Sequence, residues 1–129
     1  LSLLKKNKQI SSNGSIVLIS SINGTKVSCM GGSIYGALKA AMSGFCKGLS
    51  LEFAHNGTRV NCICPGVFFF FFLHKNFSIE EIKNMTRMNP LGYLGEPKDV
   101  AELAIFLLSD KSRWITGTDI VIDGGYSIK

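Results

Sequence analysis

The run at residues 15–20 (SIVLIS) most constrains what this chain can fold into. It is rich in β-branched residues and lacks polar alternation, which is typical of a strand buried on both faces, as in a parallel sheet. Two further strands are predicted at residues 59–64 (RVNCIC), closed by Pro65-Gly66, and at Asp119–Ile122 (DIVI). Because parallel sheets carry helices on both faces, the segments between these strands are expected to be helical.

Helical patterns are found in those segments. Apolar side chains recur at near-helical spacing over residues 33–54, and the Asn-Gly pair at residues 56–57 is a stop signal. A short amphipathic helix is predicted over residues 79–88, and residues 1–9 are expected to end another helix. A further helix begins near Pro97 and presents an apolar stripe formed by Val100, Leu103, Ala104 and Leu107. Phe106 and Leu108 add apolar surface on its other sides, so we expect a neighbour to cover it.

Strands that alternate with helices predict an α/β fold built on a parallel sheet with flanking helices. Three strands make a thin sheet, and at least one strand edge would be left open for pairing. The architecture is therefore expected to be incomplete, half of a larger sheet, with residues 1–129 forming a single partial domain.

Composition excludes several classes of protein. The chain is 46% hydrophobic and 18% charged, so it is not a disordered tail. Its net charge of +5 is mild and, apart from Lys5, Lys6 and Lys8, scattered, so we expect no nucleic-acid binding. The longest apolar run, residues 67–73, is far shorter than the ~20 residues of a membrane-spanning helix, and no membrane span is predicted.

The cysteines give no evidence of a secreted disulfide framework. Four are present, at positions 29, 46, 62 and 64, and the lysines near the start follow the leucines, unlike a signal peptide. Cys62 and Cys64 alternate along a strand and so share a face, where bridging them would distort the geometry. With only two histidines in the chain, no metal site is expected. The prediction is free thiols in a reducing cytoplasm.

Tyr35 and Lys39 are four residues apart on the predicted helix and therefore share one face. An ammonium group beside a phenol favours the phenolate, which is the form that accepts a proton. By itself this pair is a weak signal, because such pairs occur by chance on surface helices.

The surrounding motifs make the signal specific. The pair follows a strand that ends in Ser20-Ser21, with Gly24 three residues on, and it is followed in order by GALKAAMSGFCKGLSLEF, RVNCICPG, VAELAIFLLSD and ITGTDIVIDGG. Over residues 15–127, this ordered set resembles the C-terminal half of the short-chain dehydrogenase/reductase family. The resemblance implies a Rossmann-like, doubly wound NAD(P)-binding fold of which this chain holds the C-terminal half.

The resemblance also implies a reaction, the interconversion of an alcohol and a ketone by hydride transfer with NAD or NADP. It makes Tyr35 the general acid/base, Lys39 the residue that promotes ionisation of that tyrosine and binds the nicotinamide ribose, and Ser21 the residue that orients the substrate oxygen. It places Pro65, Gly66 and Val67 along the nicotinamide site. It further implies a small-molecule substrate and, for the full-length protein, a homo-oligomer with contacts through the Tyr35 helix and residues 100–129.

The chain departs from the family pattern in two ways that bear on activity. No Gly-rich turn followed by a helix is present, so the cofactor-binding N-terminal half is expected to be absent and the choice between NAD and NADP cannot be read. The interval from Ser21 to Tyr35 is fourteen residues, one longer than usual, with the extra residue expected near Gly31-Gly32. The isolated 129 residues are therefore expected to lack turnover with either nicotinamide cofactor. The alternative function is a truncated, inactive remnant or a partner-pairing subunit of the same family.

Two apolar segments have open interpretations. Residues 68–72 are consecutive phenylalanines, which form either an aromatic wall of a substrate pocket or a relaxed, non-functional segment prone to aggregation. The predicted helix at residues 79–88 carries an apolar stripe that either covers a lipophilic substrate or packs into the core; it consists of Ile79, Ile82, Met85 and Met88.

Overall fold

The computed structural model describes residues 12–68 and 77–129. Its elements, in chain order, are β1 (Ser15–Ile19), α1 (Ser33–Phe53), β2 (Arg59–Pro65), α2 (Ile79–Arg87), α3 (Pro97–Leu108) and β3 (Asp119–Ile122). These bounds confirm the predicted strands and helices to within one residue at each end. The helix end predicted at residues 1–9 and the phenylalanines at 69–72 lie outside the described residues.

The three strands form one sheet in the order β1-β2-β3, and both pairings are parallel. Ser15 lies opposite Arg59, and Cys62 lies opposite Asp119. The predicted α/β parallel sheet with flanking helices is therefore confirmed. Because all three strands run parallel, their carboxyl ends meet at one edge of the sheet.

Helices cover both faces of this sheet. On one face, Val60, Cys62 and Cys64 pack with three residues of α1, namely Cys46, Leu49 and Phe53. The alternate residues of β2 point to the other face, where α3 contacts β1 and β2 and Leu107 is fully buried. The result is a three-layer arrangement with β2 at its centre.

The ends of the three α-helices show how local sequence defines these elements. Gly57, whose φ is 75°, ends the short helical turn that follows α1, as the Asn-Gly signal predicts. Capping boxes begin the other two helices: Ser78 pairs with Glu81 at α2, and Glu96 pairs with Asp99 at α3. Hydrogen bonds from Ser78 hold the pKa of Glu81 below its ordinary value.

Two apolar surfaces are left uncovered by the described residues. No residue of α2 is buried, and Ile79 is 73% exposed, so the α2 stripe does not pack into the core that these residues form. On α3, Phe106 and Leu108 remain exposed, so no element of the described chain covers that side of the helix. For α3 the physical reason is that it packs one face on β1 and β2, which leaves its opposite side uncovered among the described residues.

No helix in residues 12–68 or 77–129 is both long and apolar enough to cross a membrane.

Candidate active site

The predicted site residues gather where β1 and β2 end. Beyond β1, Ser20 N–H donates to Ile63 O at 2.7 Å, and Ile22 N–H donates to Pro65 O at 3.0 Å. Parallel pairing thus continues past the regular strand and places the Ser21 turn beside Pro65. Such carboxyl edges of parallel sheets are where ligands bind in open α/β folds.

The two neighbouring serines have different hydrogen-bond partners. Ser20 Oγ donates to the carbonyl oxygen of Lys39 at 2.7 Å, so that hydroxyl ties β1 to α1. Ser21 Oγ accepts the Asn23 N–H at 3.1 Å, within the described residues, and keeps its own proton available for another acceptor. This difference favours Ser21 over Ser20 as a hydroxyl that can reach a substrate oxygen.

Lys39 is held at the same strand end. Its Nζ donates to the carbonyl oxygen of Ile19 at 2.9 Å and stands 5.6 Å from the centroid of the Tyr35 ring. The Tyr35 side chain is half exposed. The helical spacing therefore brings the ammonium beside the phenol as predicted, and the backbone of β1 fixes the position of that ammonium.

The loop between Ser21 and Tyr35 is pinned against the start of α1. Gly24 has a φ of 91°, and a Cβ there would collide with the backbone of Gly36, one residue after Tyr35. Asn23 Nδ2 donates to Cys29 Sγ at 2.9 Å across the same loop. A turn follows in which Gly32 N–H donates to Cys29 O, and Met30 is fully exposed at its tip. This outward turn offers room for the extra residue of the fourteen-residue interval.

Pro65 is buried, and Gly66 N–H donates to Ile122 O at 2.9 Å, which joins the end of β2 to the end of β3. Val67 and Phe68 line a cavity of about 300 Å³ between these strand ends and the first turn of α3. Leu91 and Tyr93 form part of the same wall, although sequence reasoning did not single them out. They lie in a loop whose spacing carries no periodic signal.

Asp123 borders this cavity and organises the turn after β3. Its carboxylate accepts the Gly125 N–H at 2.9 Å and the Ser127 N–H at 2.8 Å. Burial raises the pKa of Asp123, but these hydrogen bonds from Ser127 and Gly125 outweigh it, so the pKa is below its ordinary value. The group is therefore an ionised structural anchor rather than a proton donor near neutral pH.

The motif order, the parallel sheet and the neighbouring Tyr35 and Lys39 side chains can be compared with known proteins. The family model described as enoyl-(acyl carrier protein) reductase matches residues 3–127. The chain belongs to the short-chain dehydrogenase/reductase family. This match covers almost the whole chain and confirms the family resemblance drawn from the motifs.

Individual members of the short-chain dehydrogenase/reductase family agree with this assignment. The chain is 42% identical over 118 residues to 2,5-dichloro-2,5-cyclohexadiene-1,4-diol dehydrogenase LinX of Sphingobium indicum, with 92% of this chain and 46% of that protein covered. It is 42% identical to carbonyl reductase family member 4 of Xenopus tropicalis, with 90% of this chain and 46% of that protein covered. This chain spans about half the length of these relatives.

A solved structure shows the same relation in three dimensions. A short chain dehydrogenase family protein from Francisella tularensis subsp. tularensis SCHU S4 superposes with a TM-score of 0.85 at 32% identity. The superposition covers 98% of this chain and 55% of that one. The predicted Rossmann-like architecture is thereby confirmed, with this chain corresponding to part of it.

Proposed function

We propose that this chain carries the catalytic part of an oxidoreductase that interconverts an alcohol and a ketone with NAD or NADP. Ser21, Tyr35 and Lys39 are its catalytic residues. The observation that carries the proposal is the position of Lys39, anchored 2.9 Å from the Ile19 carbonyl and facing Tyr35 at the strand edge where the Ser21 turn lies. The printed names of the relatives, a diol dehydrogenase and a carbonyl reductase, describe the same kind of chemistry.

In the reduction direction, the Tyr35 hydroxyl gives its proton to the substrate oxygen as negative charge develops there. The Lys39 ammonium stabilises the phenolate that remains, and Ser21 donates a hydrogen bond to the same oxygen. The bound nicotinamide supplies the hydride in this direction and accepts it in the other. Because Lys39 is held by a backbone carbonyl, its charge needs no reorganisation during the step.

The residues at the strand edge fit one end of such a cofactor. An ammonium and a phenol hydroxyl, from Lys39 and Tyr35, are suited to ribose hydroxyls, and the Pro65-Gly66 turn lies at the end of the adjacent strand. Val67 faces the cavity beyond β2 and is proposed to border the nicotinamide. Among the described residues no short Gly-rich turn joins a strand directly to a helix, which is the arrangement that would hold the pyrophosphate. The Gly31-Gly32 pair begins α1 but follows β1 only after a long loop. The fit is therefore to the nicotinamide ribose alone.

The proposed fold and assembly follow from the same family membership. We propose that residues 1–129 are the C-terminal part of a doubly wound domain, acting as a homo-oligomer in the cytoplasm. Support for assembly comes from exposed apolar side chains along α1, which are Ile34, Leu38 and Phe45. Support for a reducing compartment comes from the cysteines, all of which are free.

The substitution Tyr35→Phe removes only the hydroxyl that transfers the proton. We expect kcat for ketone reduction to fall by about 10² to 10⁴-fold, with little change in folding. Turnover is measured on the full-length protein that contains this chain, with NADH and with NADPH over a panel of small ketones. Tyr126→Phe is the matched control, because Tyr126 also has a lysine ammonium over its ring, at 4.3 Å, and lies outside the site.

Equal losses in the two tyrosine variants would contradict the catalytic role of Tyr35. A chain that folds but neither binds a nicotinamide nucleotide nor turns over any ketone would favour the second candidate, a partner-pairing or inactive member of the family. The observation that favours this candidate is that the chain spans only about half the length of each relative.

A further inference from the structure

A group of metal-ligating side chains lies in the core, away from the Ser21, Tyr35 and Lys39 cluster. Cys62 and Cys64 share the face of β2 that packs under α1, and the β2-β3 register places Asp119 opposite Cys62. The two Sγ atoms and one carboxylate oxygen all lie within 4.8 Å of one another. Two thiols and a carboxylate at this separation need only small movements to close around one ion, since Zn–S and Zn–O bonds are about 2.3 and 2.0 Å.

One carboxylate oxygen of this group has no hydrogen-bond donor among the described residues. Cys62 and Cys64 are fully buried. The Asp119 Oδ2 atom is engaged by the hydroxyl of Ser43 and, at 3.3 Å, by the ammonium of Lys47. The Oδ1 atom of the same carboxylate is buried and has no hydrogen-bond partner within the described residues. A buried carboxylate oxygen without a donor is costly, and a cation would satisfy it.

We propose that Cys62, Cys64 and Asp119 form a buried site for a thiophilic divalent cation, with Zn²⁺ as the best-suited ion. Two thiolates favour a soft or borderline metal over Mg²⁺ or Ca²⁺, which prefer oxygen ligands. The Asp119 side chain is 17% exposed and Lys47 is 60% exposed, so the ion enters from the α1-β3 side. The Cys46 thiol donates to the carbonyl oxygen of Val60 at 3.5 Å, so Cys46 is not included among the ligands.

Charge and proton balance are consistent with this ion. Zn²⁺ displaces one proton from each of the two thiols, and the protons go to solvent. Two thiolates and one carboxylate then carry three negative charges, which the ion and the Lys47 ammonium neutralise.

The test is a metal titration of the reduced, metal-free full chain, with Zn²⁺ competing against a chelating indicator and Co²⁺ as the spectroscopic probe. We expect one equivalent of metal, release of two protons, and a thiolate-to-cobalt charge-transfer band. Cys64→Ala should weaken the affinity by at least about 100-fold. Cys29→Ala, which removes the exposed thiol outside the site, should leave it unchanged.

Folding of each variant is checked by circular dichroism in the presence of a chelator. If Cys64→Ala does not fold, Asp119→Asn takes its place, because the amide keeps the shape of the carboxylate while losing its charge. No binding of an equimolar metal, or binding that survives Cys64→Ala or Asp119→Asn, would overturn the site. Loss of binding in Cys29→Ala would overturn it as well, since that would place the metal on the surface thiol.

Discussion

At the scale of single residues, Asp123 and Ser20 use their side chains to form hydrogen bonds with backbone groups. The carboxylate of Asp123 accepts N–H groups from Gly125 and Ser127, and Ser20 is bonded to the carbonyl of Lys39. Ser21 is the exception, because its hydroxyl accepts one N–H and donates to no group among the described residues. Its proton is therefore free for the hydrogen bond to the substrate oxygen that we propose above.

The substitution Asp123→Asn is expected to lower the free energy of unfolding by about 1 to 2 kcal/mol at pH 7. The amide removes the charge and replaces one of the two carboxylate oxygens that accept the Gly125 and Ser127 N–H groups. The folded pKa of Asp123 is depressed, so its contribution is present above the unfolded value of about 3.9 and is lost as the pH falls through the folded pKa. The difference between the two proteins should therefore shrink between pH 5 and the acid limit.

Urea denaturation at a series of pH values measures that difference. Glu102→Gln, at an exposed position on the same cavity, is the control and should show no comparable loss. A loss for Asp123→Asn that stayed constant down to the acid limit would show that shape, and not charge, accounts for the effect.

At the scale of elements, the geometry of the site depends on how the loop after β1 meets α1. Gly24 and Gly36 touch through their backbones, which brings the Ser21 turn against the first turn of the Tyr35 helix. No side chain caps the start of α1, whose N-cap residue is Gly32. Packing between the two glycines therefore takes over the positioning that a capping side chain performs at α2 and α3.

Gly24→Ala is expected to destabilise the fold by about 3 kcal/mol or more, because it combines a left-handed φ with a backbone collision. Gly31→Ala is the matched control: its φ is 76°, but a Cβ there meets no atom within 4 Å. Its loss should be limited to the left-handed strain of about 1 to 2 kcal/mol. Thermal unfolding compares the two, and equal losses would show that the Gly24-Gly36 contact contributes nothing.

At the scale of the whole molecule, one arginine joins the sheet to the α3 layer. Arg59, the first residue of β2, reaches the end of α3 and the short 3₁₀ helix that follows. Its guanidinium donates, at 2.8 to 3.0 Å, to Leu107 O, Ser109 O and Ser112 Oγ. The Ser15 hydroxyl adds a hydrogen bond from β1 to Leu107 O at 2.8 Å. The carbonyl groups that end α3 thus obtain donors from the sheet.

Replacing Arg59 with Met should cost about 2 to 3 kcal/mol of unfolding free energy, because partly buried carbonyl groups at the end of α3 lose charged donors. Arg113→Met, at an exposed position nearby, should change stability by less than about 0.5 kcal/mol. Denaturant titration followed by circular dichroism measures both. If the two variants were equally stable, the guanidinium network would have no role in holding the layers together.

What the sequence by itself determined is what depends on neighbours along the chain. The strands and helices follow from hydrophobic periodicity, and Tyr35 and Lys39 share a face because four residues make about one helical turn. The motif order was enough to identify the family. In contrast, the exposure of the α2 stripe depends on which elements pack against that helix, and periodicity along the chain carries no such information.

Tertiary structure decided the contacts between residues far apart in the chain. The Ile19 carbonyl oxygen accepts a hydrogen bond from the Lys39 ammonium. The hydroxyl of Ser20, and not that of Ser21, donates to the backbone of α1. Asp119 stands beside two cysteines only because the parallel register of β2 and β3 aligns it with Cys62. Counting histidines and cysteines along the sequence could not reveal that the carboxylate lies there. Strand register is set by packing across the whole sheet, so these arrangements exist only in the folded molecule.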